Sequence, residues 1–130
     1  MSIHFFENAS FRYSEYFNFG TNIIFRDIEK ICSLENETIR KFLSNSLLDK
    51  KSFNENEILE DNYFTKGSFR KIRKKLILDI ANARINEIVD IIFNNNINIK
   101  SLKRNKFKIY LTIKDKKLIK ILNESYNNIF

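Results

Sequence analysis

The strongest constraint on this chain is the apolar stripe through residues 69–94. Ile72, Leu76, Ile80, Ala83, Ile88, Ile91 and Ile92 recur mostly at intervals of three and four, which predicts a long amphipathic helix burying one face. Ser68 stands where its N-cap belongs, and Asn94, Asn95 and Asn96 close it. A chain of 130 residues with one such helix fits a single domain, 1–130. Its 43% hydrophobic content argues against disorder.

Shorter patterns flank the helix. Ile3, Phe5 and Phe6, then a Glu7-Asn8-Ala9-Ser10 turn, then Phe11, Tyr13, Tyr16, Phe17 and Phe19 predict a β-hairpin. Gly20 breaks that pattern. A helix is expected from Thr21 or Asn22 to Cys32 on Ile23, Ile24, Ile28 and Ile31. Ser33 reads as the N-cap of another helix carrying Leu34, Thr38, Ile39, Phe42 and Leu43. Residues 44–67 form a less regular, more polar insert, in which Glu55, Glu57, Glu60 and Asp61 read as a solvated loop or short strand. Phe107, Ile109, Leu111 and Ile113 alternate as a half-buried strand. Leu118, Ile121, Leu122, Tyr126 and Ile129 predict a last amphipathic helix.

Catalytic chemistry is thinly supplied. His4 is the sole histidine and sits in an aromatic strand. Cys32 is the sole cysteine, lies on an apolar helix face and reads as a small hydrophobe. Two glycines, Gly20 and Gly67, cannot build a glycine-rich phosphate loop. The expectation is a protein that is not an enzyme, with no metal. With one cysteine, no apolar run long enough to span a bilayer and no signal peptide, the cytoplasm is the expected location.

The net charge of +7 raises an anionic partner. The weight of that charge is lessened by the composition: 73 of the residues are Ile, Asn, Lys, Phe or Tyr, all with A/T-rich codons. Two basic stretches stand out. Lys100, Lys103, Arg104, Lys106 and Lys108 lead into the late strand. Arg70, Lys71, Arg73, Lys74 and Lys75 open the long helix, where cations oppose the helix dipole. The second stretch suggests an acidic partner. Residues 27–43 also fit a helix-turn-helix, with Thr38, Arg40 and Lys41 on the second helix facing DNA. Glu35 and Glu37 in its first turn would face phosphates.

Three stretches, in order, resemble the C-terminal half of FtsA, the actin-like family of bacterial cell division. The hairpin 3–17 leads into Phe19-Gly20-Thr21-Asn22-Ile23-Ile24 with Asp27-Ile28, similar to the family's hairpin, glycine turn and Asp-Ile-Ala helix. Residues 35–43 are similar to its next short helix. Asp79-Ile80-Ala81-Asn82-Ala83-Arg84-Ile85-Asn86-Glu87-Ile88 resembles its long helix with an Arg-x-x-Glu-Ile run, and 107–112 falls at an apolar strand.

The resemblance implies an α/β fold, half of an actin-like (ribonuclease H-like) domain with a small mixed sheet and flanking helices. The family's phosphate loop would lie just before residue 1. Its adenosine loop is replaced by Ile113-Lys114-Asp115-Lys116-Lys117. ATP is thus implied only if the missing loops are supplied, with Arg84 and Glu87 on the adenosine side. The implied function is an adaptor that links FtsZ polymers to the inner membrane at the division site. Arg73 and Lys74 fall near the family's basic docking residues for the FtsZ C-terminal peptide, and with Arg70 and Lys71 beside them they form the expected partner-binding set. Self-association and a peripheral membrane contact by residues 116–130 are further implied, although a core-packing helix is the expected role of that last segment.

Overall fold

A computed structural model of the chain describes residues 1–7, 9–48, 53–65, 67–102 and 108–110. The protein is α/β, a small sheet with helices packed beside it. Strands β1 (Ser2–Glu7) and β2 (Ser10–Tyr16) form the expected hairpin, with Phe5 opposite Tyr13 and Phe6 opposite Phe11. A bulge between Phe5 and Phe6 shifts the register. Ala9 turns the corner at φ 64°. The short strand β3 (Lys108–Tyr110) lies on the other side of β1, so the order is β2-β1-β3. Both pairings are antiparallel where a mixed sheet was expected.

Alternation divides the hairpin into two unlike faces. Ile3 and Phe5 are buried, and Tyr13 stacks on Phe5 at 4.5 Å. Phe6, Phe11 and Tyr16 are exposed on the other face.

Helix α1 (Asn22–Cys32) starts after Gly20, as expected, and packs against α3 (Lys74–Val89). Its buried stripe is Ile24, Phe25, Ile28 and Cys32, whereas Ile31 is exposed. Ser33 does not cap the following helix. It is the left-handed C-cap of α1, at φ 50° and ψ 41°. With Ser33 turned left-handed, the chain passes through Leu34 and Glu35 before α2 (Asn36–Leu48) begins. Leu34 is buried in that passage, anchoring the corner.

The long helix differs from expectation at its start. Residues 70–73 are not helical, and Ser68 caps nothing. Leu59 donates its amide to the Ile72 carbonyl and Lys74 to that of Glu57, each at 2.8 Å, making an antiparallel bridge between Ile58 and Arg73. Long-range pairing wins over the local helical pattern here. It also explains the awkward cations: Arg70 and Lys71 lie outside the helix, so they do not oppose its dipole.

Within α3 the buried stripe is Ile77, Ala81, Ile85, Ile88 and Val89, continuing to Ile92 and Phe93 in a π-helical turn (Asp90–Asn94). The expected stripe was rotated: Leu76 and Ile80 are half-buried, and Ala83 and Ile91 are exposed. Leu76, Ile77, Leu78 and Ile80 are apolar on adjoining sides, so contact with α1 chooses the face. After the expected asparagine stop comes an unexpected short helix, α4 (Ile97–Leu102). Asn96 caps it by accepting the Asn98 amide at 3.0 Å, and it also donates to Glu15 on β2 at 2.6 Å. The expected helix over residues 118–129 lies outside the described residues, as does most of the late basic stretch.

Candidate functional site

The residues singled out by the resemblance meet where α1 crosses α3. Arg84 donates from Nε to Asp27, 57 positions earlier, and from Nη1 to Glu87 at 2.5 Å. Asp27 lies one residue before the fully buried Ile28, and Arg84 one before buried Ile85. The apolar contact between the helices therefore sets the charged pair at its rim. Asp27 and Arg84 are each about three-quarters buried, while Glu87 is half exposed. An open cavity of about 350 Å³ adjoins Asp27, lined also by Ile23, Arg26, Glu29 and Lys30.

Those residues do not by themselves make a nucleotide site. Arg84 is held by both Asp27 and Glu87, and the two glycines supply no phosphate-binding turn. No nucleotide step is assigned to this chain.

The second region is the basic run, and the structure splits it. Lys74, expected on an exposed docking surface, has a side chain only 6% exposed. Its ammonium donates to Glu57 at 2.7 Å and Glu60 at 2.9 Å, and it lies 5.2 Å from the Phe53 ring. Burial alone would push this ammonium down. The hydrogen bonds and charges of Glu57 and Glu60 outweigh burial and hold it above the ordinary lysine range. Lys75 pairs with Glu55 at 2.8 Å; the bond and charge raise the lysine and lower the carboxyl. The acidic insert is thus less a solvated loop than the counter-charge of the first turn of α3. A similar number of acids and bases, 14–20 residues apart, was the available signal.

Arg70, Lys71 and Arg73 remain exposed and enter no ion pair among the described residues. Phe69, 46% exposed, adjoins them and makes an edge contact with Phe64 at 5.5 Å. The structure therefore removes Lys74 from the docking set and leaves three cations and an aromatic ring on an irregular, partly extended strip. Residues 70–73 are not helical, so Arg70 and Arg73 do not share a helix face.

The helix-turn-helix residues are engaged within the chain. Thr38 is buried, and Arg40 lies 4.2 Å over the Phe25 ring and donates to Asn36 at 2.6 Å. Lys41 donates to the Asn62 carbonyl at 2.5 Å and lies 5.7 Å from the Tyr63 ring.

Cys32 is buried, which pushes its thiol up and away from the reactive thiolate. His4 lies 3.3 Å from the Ser2 hydroxyl and edge-on to Tyr16. Among the described residues no group of three His, Cys, Asp or Glu side chains could hold a metal, and no helix is long and apolar enough to cross a membrane.

Comparison with protein-family models, curated proteins and solved structures finds no match.

Proposed function

We propose that the chain is an FtsA-like adaptor of bacterial cell division, receiving the C-terminal peptide of FtsZ on the strip 69–73. The observation that supports this most is the convergence of Asp27, Arg84 and Glu87. These charged residues come from two of the three stretches that carry the resemblance, on two helices far apart in sequence. On this reading the hairpin, α1 and α3 belong to one half of an actin-like domain, and the bridge between Ile58 and Arg73 belongs to the region that docks the partner.

The strip suits an acidic peptide. Arg70, Lys71 and Arg73, which enter no ion pair among the described residues, supply attraction of roughly 0.2–1 kcal/mol each at exposed positions. Affinity in the micromolar range, about 8 kcal/mol, needs an apolar anchor as well, and the exposed Phe69 beside Phe64 provides one. The adaptor acts by binding, with no chemical step of its own.

Co-sedimentation with FtsZ polymers tests the proposal. The chain is expected to pellet with polymers of intact FtsZ and to stay in solution with polymers lacking the C-terminal peptide. Equal pelleting with both would overturn it.

A further inference from the structure

The polar insert and the strip before α3 meet in an antiparallel bridge whose two residues face the same way. Leu59 donates its amide to the Ile72 carbonyl and Lys74 to that of Glu57, so the hydrogen bonds flank Ile58 and Arg73 rather than join them. Opposed side chains in such a pair stand on one side, with Cβ atoms about 4.5–5.5 Å apart. Their neighbours turn inward: Leu59 and Lys74 are buried, and Ile72 packs against the core. Ile58 and Arg73 are left exposed, Ile58 by 40%. Arg73 enters no ion pair among the described residues. Lys75, and to a lesser degree Arg73, lowers the Glu55 carboxyl, but the hydrogen bond of Glu55 goes to Lys75 at 2.8 Å.

Ion pairs hold this arrangement in place. Lys74 binds Glu57 at 2.7 Å and Glu60 at 2.9 Å, and Lys75 binds Glu55, so acids on both sides of Ile58 are tied to the first turn of α3. An exposed isoleucine is ordinary by itself. Here it is fixed beside a guanidinium that has no ion-pair partner among the described residues, on a strip that also carries Arg70 and Lys71.

We propose that Ile58 and Arg73 together read acidic peptides, selecting those with an apolar side chain two positions from a carboxylate. This deepens the assignment of residues 69–73 as a peptide-docking strip and rests on it. The three cations attract any acidic peptide and do not choose among them. In an extended peptide, residues two apart share a face and lie roughly 6.6–6.8 Å from each other. One can then cover Ile58 while the other reaches the longer Arg73 side chain. Adjacent residues face opposite sides and satisfy only one of the two.

Fluorescence polarisation on the full chain tests this with two labelled probes of identical composition. The spaced probe is Ser-Asp-Ser-Leu-Ser-Asp-Ser, and the adjacent probe is Ser-Ser-Asp-Leu-Asp-Ser-Ser. The unaltered chain is expected to bind the spaced probe ~10-fold more tightly, the factor that one covered apolar side chain supplies. Ile58→Ser should lose this preference, and Ile97→Ser, at an isoleucine 80% exposed outside the bridge, should keep it. Circular dichroism first establishes that both variants are folded. Equal affinity of the unaltered chain for the two probes, binding of neither, or a preference that survives Ile58→Ser would overturn the proposal. The FtsZ C-terminal peptide separates the two readings. Preference for the spaced probe without binding of that peptide removes the adaptor and keeps the selectivity; binding of that peptide without the preference does the reverse.

Discussion

Lys71 and Lys74 belong to one basic run, three positions apart, and the fold treats them in opposite ways. Lys74 is enclosed by Glu57, Glu60 and the Phe53 ring, whereas Lys71 is exposed with Arg70 and Arg73 on the strip before α3. The difference teaches that a run of cations is not one surface. A lysine in the first helical turn is unfavourable beside the dipole unless acids neutralise it, and the insert supplies those acids. Arg70 and Lys71 lie before the bridge, outside the helix, and enter no ion pair among the described residues.

The largest effect should come from reversing the buried charge. Lys74→Glu sets a third carboxylate against Glu57 and Glu60 and is expected to cost about 3–5 kcal/mol, measured by urea unfolding. Lys74→Met keeps the stem but leaves two carboxylates that can still reach water, so the expected loss is smaller, about 1–2 kcal/mol. Equal stability of the three proteins would erase the contrast with Lys71.

Alkaline pH sharpens the same contrast. Folding holds the Lys74 ammonium above its ordinary range, so the folded state favours the protonated form. Its contribution is complete at neutral pH and fades as pH climbs through the raised value. Thermal melts should show a loss of Tm above about pH 10.5 that is reduced in Lys74→Met. An identical alkaline decline in both proteins would show that Lys74 is not its source.

At the other charged junction, Arg84→Ala should cost about 1 kcal/mol, because the pair with Asp27 is partly buried and hydrogen-bonded. Smallest of all, Arg70→Ala with Lys71→Ala should change unfolding stability by no more than about 0.5 kcal/mol. A larger loss would place those two side chains in the fold rather than at its surface.

The hairpin and α1 were legible in the sequence because their signals are local: aromatic strands around a polar turn, then glycine, then helical spacing. The long helix was legible in kind but not in register or start. Adjacent apolar residues 76–78 point in several directions, and only packing against α1 selects Ile77, Ala81 and Ile85. Its start at Lys74 depends on hydrogen bonds to residues 57 and 59, a pairing with no local signature. Of the candidate site, Arg84 and Glu87 could be named from their motif, but the closing partner Asp27 required the fold. Lys74 was assigned with its neighbours because charge is visible in sequence and burial is not.

The most direct measurement of the account is a fluorescence-polarisation titration with the FtsZ C-terminal peptide, comparing the unaltered chain with Arg70→Glu/Arg73→Glu. Circular dichroism first establishes that both are folded. Saturable, salt-sensitive binding is expected for the unaltered chain, with at least ~10-fold weaker binding by the variant, about 1.4 kcal/mol. Equal affinity of the two folded proteins, or no binding by either, would contradict it.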